Sequence, residues 1–190
     1  WSLGTQYRIE RDEFLDGTNG TVGTVCDCSI LSEVQLIGTS GNETLSGAVD
    51  ADVIDGLGGN DTLNGGAGSD VYLFGIGSGQ DTINENDATA GNTDTIRLKS
   101  GVSPSQVTLT RDNNALILSI NGTTDKITVA NWSSGTQYGI ERIEFLDGAG
   151  GTVGTVWDSS VLSQVQLVGT SGNDTLSGAV DADVIDGLGG

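Results

Sequence analysis

Four consecutive nonapeptides constrain the fold of this chain more than any other feature. They run from residue 38 to residue 73 as GTSGNETLS, GAVDADVID, GLGGNDTLN and GGAGSDVYL. Each begins with glycine and has one large apolar or aromatic residue at its eighth place. The sixth place holds a carboxylate in every unit: Glu43, Asp52, Asp61 and Asp70. Three positions kept in register over four units argue against a flexible linker.

A single nonapeptide cannot bury its one apolar residue, so the units have to stack. The glycine-rich half suits a tight turn, and the other half suits a short strand whose apolar side chain points inward. Two units then form one coil, so each turn lies over the turn two units further along the chain. The repeat therefore predicts a parallel β-solenoid, with Glu43 beside Asp61 on one edge and Asp52 beside Asp70 on the other.

The charge of the chain indicates what holds such turns together. The 190 residues include 26 acidic and 7 basic residues and no histidine, which gives a formal net charge of −19. This surface repels nucleic acid and anionic membranes, and no apolar run approaches the ~20 residues of a membrane-spanning helix. Stacked carboxylates repel one another unless a hard cation lies between them, and calcium accepts ~6 to 8 oxygen ligands. We expect Ca²⁺ as the partner, and neither nucleic acid nor a membrane span.

The four units resemble the RTX, or haemolysin-type, calcium-binding repeat, G-G-x-G-x-D-x-U-x. The resemblance covers residues 38–73 and resumes at 169–190, where the chain stops inside a unit. It implies a parallel β-roll with calcium between stacked turns. It also implies a secreted bacterial protein, extracellular or at the cell surface, of the kind that type I secretion usually exports.

The resemblance further implies a set of metal ligands. In the family, one turn provides its second and fourth carbonyls and its sixth-place carboxylate, and the turn two units later provides its first and third carbonyls and its own carboxylate. The first site would then comprise Thr39, Gly41, Glu43, Gly56, Gly58 and Asp61. The second would comprise Ala48, Asp50, Asp52, Gly65, Ala67 and Asp70. Further candidates at matching positions are Gly59, Gly68, Gly172, Asp174 and Asp183.

After Phe74 the repeat becomes less regular. The stretch GIGSGQDTI resembles a form that often closes such rolls, and it makes Asp81 a further predicted calcium ligand. The stretch TDTIRL, around Asp94 and Ile96, predicts a last strand with a side-chain cap. The alternative for both aspartates is that they are solvated turn residues.

Residues 105–165 have a different pattern. In QVTLTRDNNALILSINGTTDKITVANW, apolar and polar residues alternate around RDNN and NGTT, which predicts an antiparallel β-meander with hairpin turns. YGIERIEFLDG and GTVGTVWD are expected to continue it. The region resembles the haemolysin-type calcium-binding-related domain, which implies no particular activity. Its aromatic residues are expected in the core: Trp132, Tyr138, Phe145 and Trp157.

A second, longer repeat aligns Trp1 with Trp132 and Gly59 with Gly190. Residues 1–59 match residues 132–190 at 48 of 59 positions, which predicts tandem modules and leaves both recent duplication and deliberate construction open. The predicted domains are 1–37, a partial copy of the β-meander; 38–104, the β-roll with closing strands; 105–168, the β-meander; and 169–190, the truncated start of a second roll.

Only one copy of the strands at 105–130 is present, so the two copies of the long repeat compete for it. We expect residues 132–161 to pair with it, because they follow it directly and close the shorter loop. Residues 1 to 30 would then be poorly ordered, packed elsewhere or paired with another chain, and self-association through truncated β ends is expected. Cys26 and Cys28 are too close for a relaxed disulfide and are expected to be free thiols.

Without histidine, the chain has no Ser-His-Asp or Cys-His arrangement, and most acidic residues fall in turns. The leading interpretation is a non-enzymatic calcium-binding module of a secreted protein, which folds when it meets calcium outside the cell and contacts neighbouring modules. Two alternatives stay open: an adhesin-like or carbohydrate-recognition repeat, and an accessory module of a secreted hydrolase.

Overall fold

The computed structural model describes residues 34–112 and 114–165, and the backbone of four two-residue strands at 13–14, 24–25, 167–168 and 185–186. The chain divides into two compact units, Trp1–Glu33 and Val34–Gly190. In the first unit, β1 (Glu13–Phe14) and β2 (Thr24–Val25) pair in antiparallel orientation.

The second unit is built almost entirely from short strands. In chain order they are β3 (Val34–Ile37), β4 (Thr44–Ser46), β5 (Asp52–Asp55), β6 (Thr62–Asn64), β7 (Val71–Phe74), β8 (Gln80–Ile83), β9 (Thr95–Leu98), β10 (Val107–Asp112), β11 (Ala115–Ile120), β12 (Lys126–Val129), β13 (Arg142–Phe145), β14 (Val156–Trp157), β15 (Leu167–Val168) and β16 (Ile185–Asp186). The only α-helix among the described residues is the single turn α1 (Ser159–Leu162). The predicted all-β class is confirmed.

The nonapeptides form a parallel β-roll, as the sequence predicts. Successive strands alternate between two sheets, with β3, β5, β7 and β9 in one and β4, β6 and β8 in the other. Neighbouring strands are parallel and lie two nonapeptides apart, as in the pairs Leu36 with Ile54 and Leu45 with Leu63. The eighth-place side chains of the inner coils, Ile54, Leu63 and Tyr72, are fully buried.

The step between stacked strands grows longer than two nonapeptides towards the end of the roll. Thr62 of β6 lies opposite Thr82 of β8, and Tyr72 of β7 lies opposite Ile96 of β9. The spacing between inward-pointing residues grows from nine, as from Leu63 to Tyr72, to eleven from Tyr72 to Ile83 and thirteen from Ile83 to Ile96, while the strands stay in register. The strand predicted around Ile96 is therefore present, as β9.

The segment after the roll continues both of its sheets. β10, β11 and β12 form the predicted antiparallel meander, and β12 then pairs in parallel with β8. β13 does not continue that meander; it pairs in parallel with β9 in the other sheet, and β14 pairs with β13. In the last coil of the roll, β8 and β9 would each have an open edge, and β12 covers the edge of β8 while β13 covers that of β9. β9 is thus not the last strand of its sheet.

A continuous core joins the roll to this segment. The buried apolar residues include Ile83 and Ile96 from the roll and Leu118, Ile127 and Ile143 from the strands that follow. The prediction about core aromatics holds for Phe145, which is fully buried and meets Trp157 edge to face at 4.7 Å between ring centroids.

The other predicted core aromatics are less buried. Trp132 and Trp157 pack against the core while partly exposed, and Tyr138 is half-buried. The roll adds two fully buried aromatic residues of its own, Tyr72 and Phe74.

The sequence predicts that residues 132–161, in the second copy of the long repeat, pair with the strands at 105–130. For strand β13 of that copy this prediction is wrong. Strand β13 of the second copy pairs with β9, and not with the strands between 107 and 129. The expectations for residues 1 to 30, and for Cys26 and Cys28, fall outside the described residues apart from the backbone of β1 and β2. Within the described part of the chain, no helix has the length and apolar character needed to cross a membrane.

Candidate calcium sites along two turn edges

Glycine lets the stacked turns approach each other closely. Gly59 has a positive φ of 121°, and a Cβ placed there would collide with the carbonyl oxygen of Gly41 in the turn below. Gly68 has a φ of 125°, and its Cβ would lie 2.6 Å from the carbonyl oxygen of Asp50. A side chain at either position would push the turns apart, so both glycines keep backbone carbonyls of adjacent turns close together.

The first edge is the row of stacked turns that carries Glu43, Asp61 and Asp81. Its carboxylates form a ladder, in which Asp61 and Asp81 each accept the backbone N–H of the equivalent residue in the preceding coil. The backbone N–H of Glu43 donates to Asp61 Oδ1 at 2.8 Å, and the N–H of Asp61 donates to Asp81 Oδ1 at 3.0 Å. Asp61 and Asp81 are only 2% and 3% exposed. The predicted neighbourhood of Glu43 and Asp61 is present, and Asp81 occupies the next step of the same ladder.

The second edge repeats this arrangement with one more step. The N–H of Asp52 donates to Asp70 Oδ1, and the N–H of Asp70 donates to Asp94 Oδ1, both at 2.8 Å. The N–H of Asp94 in turn donates to Glu141 Oε2 at 2.8 Å. Asp94 therefore takes the sixth-place role at the end of a longer turn, and it is buried and not a solvated turn residue.

The ladders leave two buried oxygens without a hydrogen-bond partner. They are Asp61 Oδ2 and Asp70 Oδ2. A Cβ on Gly56 would collide with the first and a Cβ on Gly65 with the second, so each oxygen points back into its own glycine turn. A buried carboxylate oxygen without a donor is costly, and a cation with oxygen ligands removes that cost. These residues therefore fit a hard metal ion.

The end coil differs, because its carboxylates are satisfied within their own turns. Glu43 accepts the N–H of Thr39 at 2.9 Å and the Thr39 hydroxyl, and Asp52 Oδ2 accepts the N–H of Ala48 at 2.8 Å. The Thr39 hydroxyl, followed by its N–H, lowers the pKa of Glu43. Ligation through Glu43 would require these bonds to open or to be shared.

Burial and mutual repulsion disfavour the charged form of the inner carboxylates. Burial raises the pKa of Asp61, and it raises the pKa of Asp70 and of Asp81 to about 6. Burial, with repulsion from Glu141 and Asp70, raises the pKa of Asp94 to about 7. A bound divalent cation stabilises the charged forms instead, so ion binding and proton binding oppose each other at these residues.

The structure brings together the turns that carry the predicted ligands. In the first predicted site, the N–H of Gly58 donates to the carbonyl of Thr39 at 3.1 Å. In the second, the N–H of Ala67 donates to the carbonyl of Ala48 at 3.0 Å. Each carbonyl has a second lone pair, so these bonds are compatible with a metal ligand. The individual ligand assignments stay predictions, and those at Gly172, Asp174 and Asp183 lie outside the described residues.

Comparison with known families agrees with this geometry. The RTX calcium-binding nonapeptide repeat, in four copies, matches residues 37–72 and again residues 166–190. This chain carries RTX calcium-binding repeats. The haemolysin-type calcium binding protein related domain matches residues 116–160, which confirms the second resemblance.

The similarity to known proteins extends over about half of this chain. The iron-regulated protein FrpA of Neisseria meningitidis serogroup C is 34% identical to this chain over 105 residues. The matched region covers 55% of this chain and 9% of that relative, so the similarity concerns a segment of a far longer protein.

The RTX pattern alone misses several carboxylates that complete the edges. Glu141 ends the second ladder, and Asp125 accepts the N–H groups of Gly77 at 2.9 Å and Gly79 at 2.8 Å beyond the first. Glu85, which is 2% exposed, lies beside Asp70 and Asp94. The nonapeptide spacing contains no signal for these residues, because they come from the long turn before β9 and from the segment after the roll.

Proposed function

We propose that this chain is a non-enzymatic module of a secreted protein, and that its β-roll folds when it binds calcium outside the cell. The observation that carries the proposal is the pair of buried, unpartnered oxygens, Asp61 Oδ2 and Asp70 Oδ2, inside stacked glycine turns. Without an ion they weaken the roll, and with an ion they become ligands. The RTX calcium-binding repeats support the ion, and their resemblance to repeats of secreted bacterial proteins supports the setting.

Mass action makes this module a switch. An extracellular site with a dissociation constant of ~0.1 mM stabilises the folded state by ~1.4 kcal/mol at ~1 mM calcium, and by almost nothing at submicromolar calcium. Two or three such sites contribute ~3 to 4 kcal/mol, which decides the state of a marginally stable domain. A chain with a net charge of −19 is such a domain, because self-repulsion opposes its compact state.

Neighbouring modules of the same protein are the second proposed partner. In the second copy of the long repeat, β15 pairs in parallel with β16 and, on its other side, with β10. The pairing of Leu167 with Ile185 corresponds to that of Leu36 with Ile54 in the first copy. β3 and β5 are thus the first-copy equivalents of β15 and β16. Among the described strands, β3 pairs with β5 alone. The second edge of β3 is therefore the edge that, in β15, pairs with β10. An equivalent strand of a preceding module would fit there.

The experiment is a comparison of circular dichroism and thermal melting in calcium, in magnesium and in chelator, combined with calorimetric titration. We expect calcium to raise the melting temperature and to increase the β signal, with heat of binding over the same concentration range. Magnesium serves as the control, because it prefers rigid octahedral sites and retains its water. Identical spectra and melting temperatures in chelator and in calcium would contradict the proposal.

A further inference from the structure

The turn before β9 is longer than the turn that it covers. β6 and β7 are joined by residues 65–70, whereas β8 and β9 are joined by residues 84–94. The register of Tyr72 with Ile96 and the bond from the Asp70 N–H to Asp94 Oδ1 place the long turn directly over the short one. The nonapeptides end at residue 73, so the repeat pattern assigns no role to residues 84–93.

Three buried carboxylates meet where these two turns are stacked. Asp70, Glu85 and Asp94 each offer an oxygen within 4.8 Å of the others, and they are 0%, 2% and 6% exposed. Two of their oxygens, Asp70 Oδ2 and Glu85 Oε2, have no hydrogen-bond partner. The cluster is therefore a group of negative charges with unpaired oxygens in a site shielded from water.

The surrounding residues keep this space open and hold Glu85 in place. A Cβ on Gly65 would collide with Asp70 Oδ2 and Tyr72 Oη and would lie 2.6 Å from Glu85 Oε1, so only glycine fits there. The Tyr72 hydroxyl donates to Glu85 Oε1, which leaves Oε2 as the available atom.

The long turn is also fixed to the short one. The N–H of Gly68 donates to Asp87 Oδ2 at 3.2 Å, and the N–H of Thr93 donates to Ser69 Oγ at 3.0 Å. These bonds hold the segment that carries Glu85 against the turn that carries Asp70.

We propose that Asp70, Glu85 and Asp94 form a calcium site that closes the second edge of the roll, with Glu85 as a ligand from outside the nonapeptide repeat. Carboxylate oxygens are the ligands of hard divalent cations, and three of them around one ion offset its charge and their own repulsion. The chain has no histidine, which argues against the softer metals that imidazole favours. This inference rests on the proposed function, since it adds a site to a calcium-dependent roll.

Glu85→Gln tests the site, because it keeps the size of the side chain and an acceptor for Tyr72 but removes the charge. In chelator we expect a higher melting temperature than in the wild type, by about 2–4 °C, because one of three repelling carboxylates is gone. In calcium we expect a smaller rise in melting temperature on ion addition, and an affinity for one ion that falls about tenfold or more. A role limited to the bond with Tyr72 would leave the response to calcium unchanged.

Two further variants make the result specific. Glu85→Asp keeps the charge and shortens the reach, so it is expected to reduce the response to calcium, as Glu85→Gln does, without gaining stability in chelator. Asp158→Asn removes an exposed carboxylate that caps α1, and its response to calcium should equal that of the wild type. A wild-type response to calcium in both Glu85 variants would overturn this site and leave the proposed function standing. A wild-type chain that does not respond to calcium would overturn both.

Discussion

The turn edges of the roll and the segment after it use acidic residues in opposite ways. Beyond the roll, Asp147 accepts the N–H and the hydroxyl of Thr155 at 2.7 and 2.8 Å, and Glu144 accepts Arg97 Nε at 2.7 Å. In the roll, Asp61 and Asp70 are buried with one oxygen each unpartnered. Hydrogen-bond donors of the protein satisfy the carboxylates beyond the roll. The two carboxylates in the roll each keep an oxygen without such a donor, and a bound ion would be its partner. Dependence on calcium should therefore be concentrated in the turn edges.

The two regions also differ in how they are held together. The strands after the roll contribute large apolar side chains such as Leu116, Leu118 and Ile127 to the core, in antiparallel ladders closed by short turns. The roll buries one apolar residue for each nonapeptide and joins its strands through glycine-rich turns. Apolar burial stabilises the first region at any calcium concentration, and the second needs the additional free energy of ion binding.

The largest effect is expected from an apolar truncation in the segment after the roll. Leu118→Ala should lower the free energy of unfolding by about 2–5 kcal/mol in saturating calcium, because Leu118 is buried in the core. The slope of that free energy against the logarithm of calcium concentration should not change, since this slope counts bound ions. Denaturant unfolding at several calcium concentrations measures both quantities. A lower slope in Leu118→Ala would mean that this segment takes part in ion binding.

A second expectation compares two glycines that both have positive φ. Gly59→Ala should destabilise the roll by about 1–3 kcal/mol from backbone strain alone, and by more because its Cβ meets the Gly41 carbonyl oxygen. Gly77→Ala, at a φ of 87° with no atom within 4 Å of its Cβ, is the matched control and should show only the strain. Equal losses in the two variants would show that close stacking of the turns contributes little.

A third expectation separates inner from outer carboxylates. Asp61 bonds to the turns on both sides and has a free buried oxygen, whereas Glu43 is at the end of the ladder and is satisfied by Thr39. Asp61→Ala should therefore raise the calcium concentration at the folding midpoint by about tenfold, and Glu43→Ala by less. Calcium titration followed by circular dichroism gives both midpoints. A greater shift in Glu43→Ala would show that the assumed stacking of ligands is wrong.

The smallest effect is expected from removing residues 1–30. The remaining residues include the whole of the second compact unit, which begins at Val34. We expect the melting temperature of that unit to change little, and light scattering to report any self-association that the first copy causes. A large loss of stability in a strictly monomeric protein would mean that residues 1–30 complete the fold.

Much of the roll could be predicted because its repeat fixes the register of the coils. The nonapeptide period, with two units in each coil, determines which turns are stacked and so the neighbours Glu43 with Asp61 and Asp52 with Asp70. The same pattern places the apolar residue of each unit in the core. These statements depend only on local turn and strand chemistry, which the sequence carries in every unit.

The end of the roll could not be predicted in this way. The constant step of two nonapeptides is lost where the turns lengthen, so that Thr62 meets Thr82 and Tyr72 meets Ile96. Glu85 enters the second edge through a turn that has no repeat. The sheet assignment of β13 depends on which edge of the last coil is left open, and this is a property of the whole fold. Alternation in the sequence shows that β13 is a strand but does not choose its neighbour.

Hydrogen exchange resolved along the chain, in calcium and in chelator, tests the central claim most directly. We predict that chelation removes protection mainly from backbone amides between residues 38 and 96, beginning with the ladder donors Glu43, Asp52, Asp61 and Asp70. The hairpin of β10 and β11 should keep most of its protection. An equal loss of protection in both regions, or no loss in either, would contradict the account.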